Sequence, residues 1–203
     1  MKNPSMTIPN MATPSVTILG IDPGLRSTGW GVISIDGHKL TWLADGMIRP
    51  DPKASDDQRL LHIETAMTEL LKTHKPDQAY IEEIFVAKNP ASALKLGMAR
   101  GAALVAVARS GIPLNTISAR RVKQNITGSG RADKAQITAM VSRLLNITPS
   151  GEDAADALAI AIAALNDQNG DSQNQQAASS PSAASGTGLQ AAIQKALEKE
   201  NKS

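Results

Sequence analysis

Five carboxylates lie in apolar surroundings where an unpaired acid is costly. Asp22 ends the run "VTILGID" (16–22) and is followed at once by Pro23-Gly24, Glu82 and Glu83 interrupt "YIEEIF" (80–85), and Asp153 and Asp156 stand at the head of "DAADALAIAIAAL" (153–165). In an extended strand neighbouring side chains face opposite ways, so only one of Glu82 and Glu83 can share a side with Asp22. A spacing of three puts Asp153 and Asp156 on one face of a helix. Converging carboxylates repel one another, and a hard divalent cation relieves that repulsion. The chain has no cysteine and three scattered histidines (His38, His62, His74), so an oxygen-only ligand set suits Mg²⁺ or Mn²⁺ better than zinc. Beside a basic surface, such a cluster points to two-metal phosphodiester hydrolysis. Each acid also has an ordinary reading. Asp153 could cap a helix with Ser150, Asp22 could cap the Pro23-Gly24 turn, and Glu82 could pair with a basic side chain.

The elements that must hold these residues follow from periodicity. Extended segments are expected at 16–22, 28–36 and 38–48, with Asp36-Gly37 as a hairpin signal between the last two. Leu60, Ile63, Ala66, Met67, Leu70 and Leu71 give helical spacing over 56–74, and Pro76-Asp77 precedes a strand at 78–85. An alanine-rich helix fits 90–110, with Leu94, Met98, Gly101, Leu104, Val105 and Ala108 along one side. Gly97 and Gly101, four apart, would let another helix approach closely, within the domain or from a second subunit. A short strand at 112–118 and helices at 119–125, 133–146 and 151–165 complete the pattern. This is an α/β chain: three antiparallel strands feed α-β-α-β-α units into one mixed sheet with flanking helices.

Charge is segregated along the chain. Residues 86–143 hold ten basic side chains against Asp133 alone, whereas 36–83 hold six against ten acids. A polyanionic partner on one face is the functional reading, and a solvated basic surface is the ordinary one. No secretory leader is read in the first 15 residues, and the apolar stretch 157–165 is too short to cross a bilayer, so the expected location is the cytoplasm without membrane contact. Residues 1–14 read as a flexible extension in which Met6 and Met11 are further possible starts. The folded domain is expected over 15–165. A disordered linker is expected over 166–188, which contains the polar run "DQNGDSQNQQAASS", and a short helix or tail over 189–203.

Three blocks, "GIDPGLRSTGWGVI", "IEEIFVAKNPASALKLGMARGAA" and "DAADALAIAIAAL", in this order and spacing, closely resemble the RuvC family of Holliday-junction resolvases. The stretch "ARRVKQNITGSGRADKAQI" matches what that family carries between the second and third blocks, and the likeness spans about 15–165. It implies an RNase H-like fold and a homodimeric crossover junction endodeoxyribonuclease acting in recombination and DNA repair. The substrate would be four-way junction DNA, cut by paired symmetric nicks that leave 5′-phosphate and 3′-hydroxyl ends.

Carried over residue by residue, the family's catalytic, metal-binding carboxylates fall on Asp22, Glu82, Asp153 and Asp156, and its catalytic lysines on Lys123 and Lys134. The resemblance implies two Mg²⁺ per site, with Mn²⁺ able to substitute, one activating a water and the other stabilising the leaving 3′ oxygen. Phe85 matches an aromatic used near the junction centre, where stacking on an unpaired base would suit it. Lys88, Lys95, Arg100, Arg120, Arg121 and Arg131 would track phosphates. The RuvA–RuvB branch-migration complex is the implied partner.

Three other classes stay in view. An actin-like ATPase or sugar kinase needs a second lobe, for which about 150 folded residues leave no room. A non-catalytic junction-binding module would show loss of a ligand, and all four are present. Another RNase H-like nuclease would not need the basic block "ARRVKQ…GRADK".

Overall fold

The computed structural model describes residues 15–37, 39–84 and 89–177. The chain divides into two units, Met1–Asp167 and Gln168–Ser203, and the fold below is that of the first. The expected N-terminal extension and the segment from 178 on, including the expected helix at 189–203, lie outside the described residues.

Five strands form one mixed sheet: β1 (Val16–Asp22), β2 (Thr28–Asp36), β3 (Lys39–Ile48), β4 (Gln78–Glu82) and β5 (Leu114–Ile117), in the order β3-β2-β1-β4-β5. β1–β2 and β2–β3 pair antiparallel, and β1–β4 and β4–β5 pair parallel. That is the arrangement the family resemblance implies. Gly37, at φ +56°, makes the expected hairpin between β2 and β3. The strand expected at 78–85 ends at Glu82, and the one expected at 112–118 is confined to 114–117.

Helices cover both faces. α1 (Asp56–His74) and α2 (Pro90–Ser110) pack with Leu19, Ile21, Val32 and Ile81. α3 (Ala119–Thr127), α4 (Lys134–Leu145) and α5 (Glu152–Ala177) pack on the opposite face with Ile18, Ile33, Tyr80 and Ile117. Local chemistry sets several ends. The Asn89 side chain accepts from the Ala91 and Ser92 N–H groups ahead of α2, and Gly111 closes that helix in the left-handed region. Asp133 and Gln136 form a reciprocal capping box at α4, which fixes where Lys134 begins the helix.

Two expectations need correction. The buried stripe of α2 is Ala99, Ala103, Ala106 and Val107, not the side running from Leu94 to Val105. Small side chains let α2 lie close to its neighbours, while Leu94 (66% exposed) and Val105 (47%) face outward. By length and composition α2 could cross a membrane, but its alanine stripe is packed in this core. The second concerns α5, which runs to Ala177, into the stretch expected as linker from 166. Adding a residue to an established helix costs far less than nucleating one, and no proline falls between Glu152 and Pro181.

Candidate active site

Asp22 and Glu82 are brought together by strand pairing. β1 and β4 run parallel with Ile21 opposite Ile81, so the next residues, the two acids, end adjacent strands side by side. Alternation puts both on the face that carries Ile18, Tyr80 and α5, and turns Glu83 the other way. The turn after Asp22 does not use its carboxylate. Buried Thr28 holds it instead, its hydroxyl donating to the Gly24 carbonyl (2.9 Å) and accepting from the Gly24 N–H (3.3 Å).

α5 reaches the acids over a trough of glycines. A Cβ on Gly20 would lie 2.0 Å from the Ala157 carbonyl oxygen, and one on Gly29 2.0 Å from that of Asp153. One on Gly31 would meet the Leu158 side chain at 2.6 Å. Gly20 and Gly31 are cross-strand partners, and Gly29 pairs with Asp22, so the trough leads to the acid-bearing end of the strands. The loop before α5 is braced from the sheet edge: Asp45 accepts from the Ser150 N–H (2.7 Å) and from Trp42 Nε1 (2.8 Å). Ser150 is thereby engaged through its backbone with β3. Seated this way, α5 presents Asp153 and Asp156 to Asp22, and one carboxylate oxygen from each of the three lies within 4.8 Å of the others. The glycines and Asp45 escape sequence reasoning. A glycine within a strand is itself a signal of close backbone approach, but which helix approaches is a tertiary fact.

The electrostatics record the crowding. Burial, then the charges of Glu82, Asp156 and Asp153, push the Asp22 carboxyl up to about 7. Burial and Asp156 raise Glu82, against the lowering effect of Lys123. Burial also raises Asp156, although Lys134 beside it pulls the other way. Lys134 Nζ lies 3.1 Å from both Asp156 Oδ2 and Glu152 Oε2, and the hydrogen bond to Asp156 leads the causes that push the ammonium up to about 12. Lys123, Lys134, Glu82 and Asp156 share the wall of a cavity of about 240 Å³. Three converging carboxylate oxygens, from Asp22, Asp153 and Asp156, with no sulfur or imidazole among them, fit a hard divalent cation.

Known proteins resemble this chain over the folded part. Residues 18–164 match the family model described as crossover junction endodeoxyribonuclease RuvC. The enzyme of that name from Maricaulis maris is 53% identical over 148 residues, covering 73% of this chain and 89% of that protein. This chain belongs to the RuvC family. The Caulobacter vibrioides member is 49% identical over 150 residues, covering 73% and 89%. Among solved structures, Thermus thermophilus RuvC in complex with a Holliday junction substrate superposes with a TM-score of 0.72 at 32% identity, covering 76% of this chain and 96% of that one. The fold is therefore the RNase H-like α/β fold, and the chain is a nuclease of this family.

The basic residues singled out from the sequence divide among several places. Arg100 and Arg120 line a cleft of about 1050 Å³ together with Asp22 and Glu82. Arg100 is also tied to the sheet, donating to the Glu82 carbonyl (3.1 Å) and to Thr116 Oγ1 (3.2 Å). Lys95 lines a second cleft, on the Asp153 side. Arg121 lies exposed on α3. Arg131 stands apart from the acids, beside Arg143 in a third depression formed with α4. Phe85 and Lys88 lie outside the described residues.

Proposed function

We propose that this RuvC-family nuclease resolves Holliday junctions by metal-dependent hydrolysis centred on Asp22, Glu82, Asp153 and Asp156. The observation that carries this reading is the convergence of Asp22, Asp153 and Asp156 next to a cavity walled by both lysines. These carboxylates would hold two Mg²⁺ ions, replaceable by Mn²⁺, which would supply Lewis acidity and an activated water for attack at phosphorus. Glu82, adjacent to Asp22 across the parallel pair, completes the negative cradle. Lys123 faces that cradle from α3 and is placed to hold a non-bridging oxygen of the scissile phosphate. Lys134 covers Asp156 and Glu152 and can turn its ammonium to the charge that builds up at phosphorus. Water adds to phosphorus, the bond to the 3′ oxygen breaks, and that oxygen takes a proton. The ends are a 5′-phosphate and a 3′-hydroxyl, which a ligase can rejoin.

Two symmetric nicks require two such sites, and the outward face of α2 supports a homodimer. Leu94 and Val105 are exposed there, and Gly97 and Gly101 meet nothing within 4 Å among the described residues. The resemblance supports the cytoplasm as location and the RuvA–RuvB complex as partner.

The test is nicking of an end-labelled synthetic four-way junction in Mg²⁺, with linear duplex and an RNA–DNA hybrid alongside. Paired, ligatable nicks on the junction alone are expected. Asp156→Asn should lower the rate on the order of 10³-fold while junction binding persists. Preferential cleavage of the hybrid, or junction binding without cleavage in any divalent metal, would overturn the reading.

A further inference from the structure

The cleft on the Asp153 side of the acids has a volume of about 1100 Å³, and its walls come from five separate parts of the chain, four of which bring a cation. Arg26 enters from the turn after β1, Arg49 from the segment after β3, Arg59 from α1 and Lys95 from the second turn of α2. These cations are not equivalent. Arg59 is a brace: its guanidinium donates to the Leu25 carbonyl (2.9 Å) and pairs with Asp56 (3.3 Å), which fixes the turn that carries Arg26. Arg26, Arg49 and Lys95 are exposed, and among the described residues none of them is in an ion pair. The side-chain contact of Arg49 is with Met47 Sδ at 3.0 Å, a weak acceptor. Three unpaired cations brought to one cleft are what a polyanion would satisfy.

Position decides which polyanion. Leu96 lines both this cleft and the one that holds Arg100 and Arg120, while Asp22 lines the Arg100 cleft and Asp153 the Arg26 cleft. The two clefts therefore meet at the acids, and a strand cut there must continue in both directions. The basic segment 86–143 supplies Arg100 and Arg120 to one side and Lys95 to the other, but Arg26 and Arg49 fall outside it. We propose that Arg26, Arg49 and Lys95 form a phosphate path for the cut strand on the Asp153 side of the acids. The ligand is the sugar–phosphate backbone of the junction, read without regard to base sequence. This rests on the reading that the protein binds and cuts junctions.

The experiment measures the affinity of the full chain for a synthetic four-way junction in EDTA across a series of NaCl concentrations. It compares wild type, the Arg26→Gln/Arg49→Gln double variant, Lys95→Gln, and Lys39→Gln as a control on the far strand β3. Removing one cation–phosphate interaction should flatten the slope of log K against log[salt] by about 0.9. The double variant should therefore lose nearly two units of slope and bind about tenfold or more weakly at 150 mM salt. Thermal melts check that the exposed replacements leave the fold intact. If the slopes and affinities of the double variant and Lys95→Gln match Lys39→Gln while wild type binds and cuts junctions, the path is overturned. If wild type neither binds nor cuts them, the underlying reading fails instead.

Discussion

α5 and α2 are both long, alanine-rich helices laid against the same sheet, yet glycine means opposite things at their contacts. Under α5 the glycines belong to the strands, and a Cβ at Gly20 or Gly29 would collide with helix backbone. In α2 the glycines belong to the helix itself, and Gly97 and Gly101 face nothing within 4 Å among the described residues. One set is needed for a contact already made. The other leaves an apolar helix face bare. Glycine spacing alone therefore does not report packing; what lies opposite does.

The sharpest way to break the comparison is to fill the trough. Gly20→Val drives side-chain atoms into the Ala157 carbonyl, and backbone cannot step aside as a flexible side chain can. A loss of about 3 kcal/mol or more in denaturant unfolding is expected, with loss of nicking because Asp153 and Asp156 move with α5. Unchanged stability would mean that the helix does not seat where described.

An effect of similar size tests what the seating costs. Asp22 holds its proton up to about pH 7 in the fold, against 3.8 as its ordinary value, so the folded state binds the proton more tightly than the unfolded one. Metal-free protein should therefore lose stability as pH rises from about 4 to 7, by up to about 4 kcal/mol from this group alone. Glu82 and Asp156, also raised, act in the same direction. In EDTA, Asp22→Asn should melt higher than wild type at pH 7.5 and alike at pH 4. Mg²⁺ should raise the wild-type Tm more at pH 7.5 than at pH 5. A wild type more stable at pH 7 than at pH 5 without metal would reverse the argument.

The smallest expected change in the folding of a single chain lies on α2. Gly101→Ala adds a methyl group to open space and should stabilise the helix by about 1 kcal/mol. Leu94→Glu, at a position 66% exposed, should move unfolding by less than about 0.5 kcal/mol. Light scattering should nevertheless find Leu94→Glu shifted from dimer to monomer. A monomeric wild type, or a variant that stays dimeric, would remove α2 from the interface.

Much of this architecture is legible in the residues alone. Alternation locates the strands, Asp36-Gly37 the hairpin, and apolar context singles out Asp22, Asp153, Asp156 and the pair Glu82 and Glu83, between which only the family resemblance chooses. The failures share a cause: each needs knowledge of what stands opposite. Periodicity misreads the buried side of α2 because large apolar residues outrank alanine in such an argument, while a tight helix contact favours alanine. Arg26 and Arg49 escape notice because charge counted along the chain leaves them among acids, whereas across a cleft they face one another. Asp45 carries no signal, since its partners at Trp42 and Ser150 are set by tertiary contact. The family resemblance implies a catalytic role for Lys134; its pairing with Asp156 and Glu152 makes it a counter-ion to the acids as well.

The trough has a consequence for how this family would look to an experimenter with no structure. A scan of every substitution, scored only by junction cleavage, would rank Gly20, Gly29 and Gly31 beside the aspartates. Chemistry would then be sought at three positions with no functional group to offer. Their contribution is distance: by withholding a side chain they set how far the aspartates of the helix stand from those of the strands.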